Sequence, residues 1–139
     1  MKKIRRFMHL SARRKLLFFA SAALSFYAWV LMRYFREKAR FDGRKTQPVR
    51  EADAELISDI RWAIFTAGRY IPWENVCRHQ AYQAMCLCRY YKIPCQVFVG
   101  FKKNKDTGQI EGHAWTRVNG EFVTGFCEPE EYTVQAVYS

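Results

Sequence analysis

Residues 16–32, LLFFASAALSFYAWVLM, run without a single charge. Such a run has to be taken out of water, which restricts the possible folds more than any other feature of the chain. KKIRRFMHLSARRK precedes it and RYFREKAR follows it. A signal peptide would need a small-residue cleavage site where this run ends in charge. A transmembrane helix would sit at the short end of the spanning range, and positive charge on both flanks sets no orientation. The third reading is an apolar helix packed on the domain or its partners, or lying on a membrane surface. Packing is the expectation, and membrane association is the competing one.

The chain has 139 residues, room for one domain, and half of them are hydrophobic, enough for a packed core. Its net charge of +10 is uneven: 13 Lys or Arg precede Gln47 against two acids, and the remainder is near balance. The basicity therefore belongs to an N-terminal segment, residues 1–48, ahead of a domain at 49–139. No basic sheet motif interleaved with aromatics is present, so nucleic acid is not expected as a partner. Five cysteines are an odd number, which does not suit a secreted disulfide framework. Cys86 and Cys88 would point about 200° apart on a helix, and no second pair follows at ligand spacing, so neither a metal nor a cofactor is expected. A reducing, cytoplasmic location follows.

RFDGRKTQP, 40–48, reads as a loop. Leu56, Ile60, Ala63, Ile64 and Ala67 lie at helical spacing and predict a helix over 49–67, ended by Gly68 and Pro72. Asn75 is the expected N-cap of a second helix over 76–91, with Cys77, Ala81, Ala84, Cys88 and Tyr91 along one stripe and Pro94 closing it. CQVFVGF, IEGHAWTRV, EFVTGF and YTVQAVY then read as four strands, with Asn119-Gly120 as a type I′ turn. The fold class is α+β: N-terminal helices packed on an antiparallel meander.

A cysteine nucleophile must be a thiolate, which a helix N-terminus or a neighbouring imidazole favours. Cys77 is the only cysteine at an expected helix start, where orphan amides also suit an oxyanion. Cys86, Cys88 and Cys95 read as core residues. His79 is turned about 200° from Cys77 and is expected at the surface; His9 lies in the basic arm. His113 lies in a strand expected to pack on the Cys77 helix. A helix-start cysteine followed by a strand histidine suggests a nucleophile and its base.

CRHQAYQAMCLCRYYKIPCQVFVGF, EGHAWTRVNGEFVTG and the closing YTVQAVY resemble the leader-peptidase part of the lasso peptide biosynthesis B proteins, within the transglutaminase-like cysteine peptidase superfamily. The family pattern of cysteine, helix, GIP-like turn, strand ending in glycine and HAW is matched by Cys77, Lys92-Ile93-Pro94, Gly100 and His113-Ala114-Trp115. The resemblance covers nearly the whole chain, including the opening apolar helix. It implies a transglutaminase-like, papain-like fold and a cysteine peptidase that removes the leader from a ribosomally made precursor, as a step of antibiotic biosynthesis. Cys77 would form the thioester, and His113 would activate the thiol and protonate the leaving amine. The partners implied are the precursor's leader peptide, a separate leader-recognition domain protein, and an asparagine-synthetase-like macrolactam cyclase.

The family's acidic third residue lies about a dozen positions after its histidine, where this chain has Gly125. With Asn119-Gly120 as the turn, Trp115 should pair with Thr124 and His113 with Phe126, placing Thr124 and Glu128 on the face of His113. Glu128 is the first candidate for third member and Thr124 the other; a hydroxyl, a backbone carbonyl or no third member at all are the further alternatives. The competing functional reading is a non-catalytic transglutaminase-like module that binds a peptide or partner in the same groove.

Overall fold

The structure is a computed structural model that describes residues 2–35, residue 41 and residues 53–139. Four helices come first: α1 (Lys2–Met8), α2 (Ala12–Tyr34), α3 (Ala54–Gly68) and α4 (Cys77–Tyr90). Four strands follow: β1 (Gln96–Lys103), β2 (Ile110–Val118), β3 (Glu121–Thr124) and β4 (Thr133–Tyr138), with a 3₁₀ turn at Pro129–Glu131 before the last. The expected loop at 40–48, apart from Phe41, and the boundary at residue 48 lie outside the described residues.

The apolar run folds as helix because it holds neither Gly nor Pro, and because Ser11 caps it by accepting from the Arg14 amide at 3.3 Å. Leu17, Ser21, Ser25, Ala28 and Leu31 form its buried stripe, and α2 packs against α3 and α4. A buried serine needs a partner. Ser25 Oγ has two: it donates to the Ala22 carbonyl at 2.7 Å and accepts from Trp73 Nε1 at 3.1 Å. That second bond ties the α3–α4 connection to α2.

Asp53 caps α3, accepting from the Glu55 amide at 3.0 Å. Ile57, Ile60, Ala63, Ile64 and Ala67 are buried, and Leu56 sits half-buried at the margin. Burying Ile60 and Ile64 contributes about 1.5–3 kcal/mol each. Asp59 is also buried, on the side facing α2. Arg13 Nε donates to Asp59 Oδ2 at 2.8 Å and Arg14 Nε to Oδ1 at 2.6 Å, clamping the start of α2 to α3. Burial pushes the Asp59 carboxyl up, but the bonds from Arg14 and Arg13 outweigh it and hold the group below its ordinary range.

α4 ends in a Schellman motif. The Ile93 amide reaches the Cys88 carbonyl at 2.8 Å and the Lys92 amide reaches Arg89 at 3.0 Å, with Lys92 itself at φ +56°. The GIP-like position of the sequence is thus the left-handed C′ residue of this helix, occupied here by lysine.

The sheet order is β3-β2-β1-β4, all antiparallel. This corrects the expected simple meander. After β3 the chain crosses to the opposite edge and β4 pairs with β1. The helices cover one face, so Val97, Val99, Ala114 and Val118 look into the main core. The crossing segment 125–132 runs against the other face, where Phe98, Trp115 and Tyr132 pack ring to ring.

Asn119 and Gly120, at φ +51° and +79°, make the expected type I′ turn, with Val118 opposite Glu121 and Arg117 opposite Phe122. The register then slips: Thr116, not Trp115, lies opposite Thr124. Val123 is the extra residue of a β-bulge. A slip of one residue exchanges the faces of everything beyond it. Thr124 therefore sits with Thr116 on the helix-covered side, away from the face of His113.

Candidate active site

Cys77 is the first residue of α4 and half-buried, packed against the main core. Its amide lies in the first turn of α4, where the helix dipole favours an anion. The N-cap is Val76, not Asn75. His79 is not at the surface as expected: it is buried, and its Nδ1 accepts from the Val76 amide at 3.1 Å. The side chain reaches back over the first turn instead of outward, because the Val76 side chain has no acceptor to offer. Burial lowers the pKa of His79, only partly opposed by the charge of Glu74. A neutral imidazole is what an accepting Nδ1 requires.

Asn75 anchors the same turn from the other side. Its Oδ1 accepts from Gln83 Nε2 at 2.7 Å, and its backbone carbonyl accepts from Gln80 Nε2 at 3.1 Å. Gln83 is fully buried. Three side chains (His79, Gln80 and Gln83) thus hold the residues just before Cys77.

His113 stands on β2 opposite Gly100. Its ring stacks on Trp115, with centroids 6.0 Å apart, and lies 5.4 Å from the ring of Tyr132. Its Nε2 lies 2.8 Å from the carbonyl oxygen of Gly125. A carbonyl only accepts, so Nε2 carries the proton and Nδ1 is left as the basic nitrogen. The carbonyl comes from the residue twelve positions on, where the resemblance led us to look for an acid. Gly125 has φ +68°, and a Cβ there would meet Trp115 Cα at 2.9 Å and collide with the Ala114 carbonyl. No side chain fits at that point, and the backbone itself supplies the acceptor.

The structure brings His113 to Gly125, Trp115 and Tyr132. It does not bring Glu128 or Thr124 to it: Glu128 is exposed at the head of the 3₁₀ turn, and Thr124 is buried on the other face of the sheet. The His113 side chain leaves β2 on the face opposite Ala114, which faces the helices. Among the described residues no hydrogen bond joins it to Cys77.

Cys88 and Cys95 are buried away from any substrate; their mutual bond, with burial, pushes the Cys88 thiol up, and the same bond lowers that of Cys95. Cys127 is pushed up by burial and then by the charge of Glu128. Among the described residues no group of three His, Cys, Asp or Glu side chains could hold a metal ion.

Two features escaped the sequence reading. His79 as a cap was readable in principle, since a polar side chain at the third helical position is where a reciprocal cap comes from. The Gly125 carbonyl carries no side-chain signature; only the departure from the acidic pattern pointed to it.

The α+β domain thus carries a cysteine at a helix start and, on the adjoining antiparallel sheet, a histidine held by a backbone carbonyl. The family model of the transglutaminase-like superfamily matches residues 20–137, and the chain belongs to that superfamily. The match opens inside α2, in keeping with the packing of that helix on α3 and α4. No curated protein and no solved structure matches the chain.

Proposed function

We propose that this protein is a cysteine peptidase that removes the leader from a ribosomally made lasso precursor peptide. The observation that carries the reading is the His113 ring, held through Nε2 by the Gly125 carbonyl with Nδ1 left basic. Superfamily membership supports the thiol chemistry, and the quoted motifs support the precursor as substrate. In this mechanism Nδ1 takes the Cys77 proton and the thiolate attacks the carbonyl at the leader–core junction. The positive end of the α4 dipole suits the oxyanion. His113 returns the proton to the leaving amine, and water then resolves the thioester. With His113 leaving the sheet on the face away from the helices, this mechanism requires a rearrangement, larger than the tightening of a long hydrogen bond, that brings Cys77 and His113 together when peptide binds. A separate leader-recognition protein would deliver the peptide, and an asparagine-synthetase-like cyclase would consume the freed amine.

A specific observation favours a second reading. Among the described residues no carboxylate is bonded to His113 and no bond joins it to Cys77, as expected for a module that binds peptide without cutting it. Mass spectrometry of the precursor incubated with this protein, with and without its recognition partner, separates the two. The peptidase reading expects one cut at the leader–core junction, abolished by Cys77→Ala and by His113→Ala and retained in Cys86→Ala. Leader binding with no cut under either condition overturns it in favour of the binding module.

A further inference from the structure

We propose that α1 and the outward face of α2 form a docking surface for an anionic lipid bilayer, with α2 lying in the plane of the membrane surface instead of crossing it. The helix is long and apolar enough to cross, but its two sides are already differently committed. One side carries Leu17, Ser21, Ser25, Ala28 and Leu31, buried against the domain, with Ser25 bonded to Trp73. The other side carries Leu16, Phe19, Phe26 and Tyr34, from 48 to 66% exposed. At about 100° per residue these four fall on one stripe roughly opposite the buried one, some 27 Å long. A helix crossing the bilayer would have to expose its whole circumference to lipid. This one has only its outer side to offer, which is the arrangement of an interfacial helix.

The neighbouring surface states the kind of lipid. α1 adds Ile4 and Met8, one turn apart and both exposed. Between α1, α2 and α3 lies an open groove of about 570 Å³ walled by Phe7, Phe18, Phe19 and Trp62, with Lys3 and Arg6 beside it. The first acid of the chain is Glu37. Arg13 and Arg14 are used by Asp59, and Lys15 Nζ is bonded to the Met8 carbonyl at 2.8 Å. Lys3, Arg5 and Arg6 make no ion pair with any described residue. An aromatic groove and an apolar stripe bordered by cations that make no ion pair among the described residues match an acyl chain under an anionic headgroup.

The test is co-sedimentation of the full chain with sucrose-loaded vesicles of phosphatidylcholine alone or with phosphatidylglycerol. Binding to the anionic vesicles and at least about tenfold weaker binding to the neutral ones is the expected result, with the same tenfold loss in the Lys3→Glu/Arg5→Glu/Arg6→Glu variant. Phe19→Ser/Phe26→Ser, checked for wild-type circular dichroism, should also lose binding. An alkaline carbonate wash should release the protein. Retention through that wash overturns the proposal in favour of a spanning helix. Equal binding to both vesicles, or no binding to either with self-association through this face in sedimentation equilibrium, overturns it as well. None of these outcomes depends on Cys77, so they stand apart from the peptidase assay.

Discussion

His113 receives from Gly125 a partial negative charge where a carboxylate would supply a full one. The carbonyl fixes the tautomer as well as an acid does, but it stabilises an imidazolium less. Replacing Gly125 by Asp should therefore not restore an acid: the new Cβ has no room, and its φ of +68° suits only glycine. Gly125→Asp and Gly125→Ala should each lose about 2–4 kcal/mol in urea unfolding, and both should lower any cleavage activity. His79 gives a second prediction at this scale. Its folded pKa is lowered by burial, so the unfolded chain binds the proton more tightly. The stability it contributes is complete above the unfolded value near ~6.5 and is lost as pH falls toward the folded one. Melting temperatures measured from pH 7.5 down to 5.5 should fall, and the fall should be shallower in a His79→Gln variant. The placement of Cys77 at a helix start and of His113 on a strand was legible from the sequence, because helix starts and strand alternation are written in side chains. The orienting group was not, because it is a carbonyl, and every residue has one.

The elements were readable where caps and periodicity agree, as in α3, α4 and β2. The Val123 bulge was not: EFVTGF alternates well enough to predict an unbroken strand, and no glycine marks the inserted residue. That one residue moved Thr124 to the wrong side of the sheet for the role considered for it. The crossing of β4 was hidden for a different reason, since strand order depends on which face the helices leave open. The end of α4 offers a direct check on the backbone. Lys92 occupies a left-handed position that glycine takes at less cost, so Lys92→Gly should raise stability by about 0.5–1 kcal/mol in the same urea assay. The reverse sign would mean that the lysine side chain is packed more firmly than its exposure indicates.

At the scale of the whole molecule, the helix layer depends on one buried carboxylate. Asp59 holds α2 to α3 through Arg13 and Arg14, and its folded pKa is depressed. Stability from this clamp is present above the unfolded carboxylate range and is lost as pH falls through the folded value, below the window in which His79 acts. Asp59→Asn should lower the melting temperature at neutral pH and flatten the acid limb of the stability profile. A mutant as stable as the parent at pH 7 would show that α2 is held by its apolar stripe alone.

The crossing segment also sets an order of assembly. β4 is made last, yet it pairs with β1, and the stretch leading into it carries the carbonyl that orients His113. Cys77 can be in place as soon as α4 forms, a local event, whereas the imidazole has no fixed tautomer until strand residues 32–41 positions apart have paired, which is intrinsically slow. A chain still being synthesised, or one frayed at its last strand, would hold a thiol without a directed base. On the proposed reading, the orientation of the imidazole is thus coupled to the pairing of β4 with β1, and a copy without that pairing has no directed base.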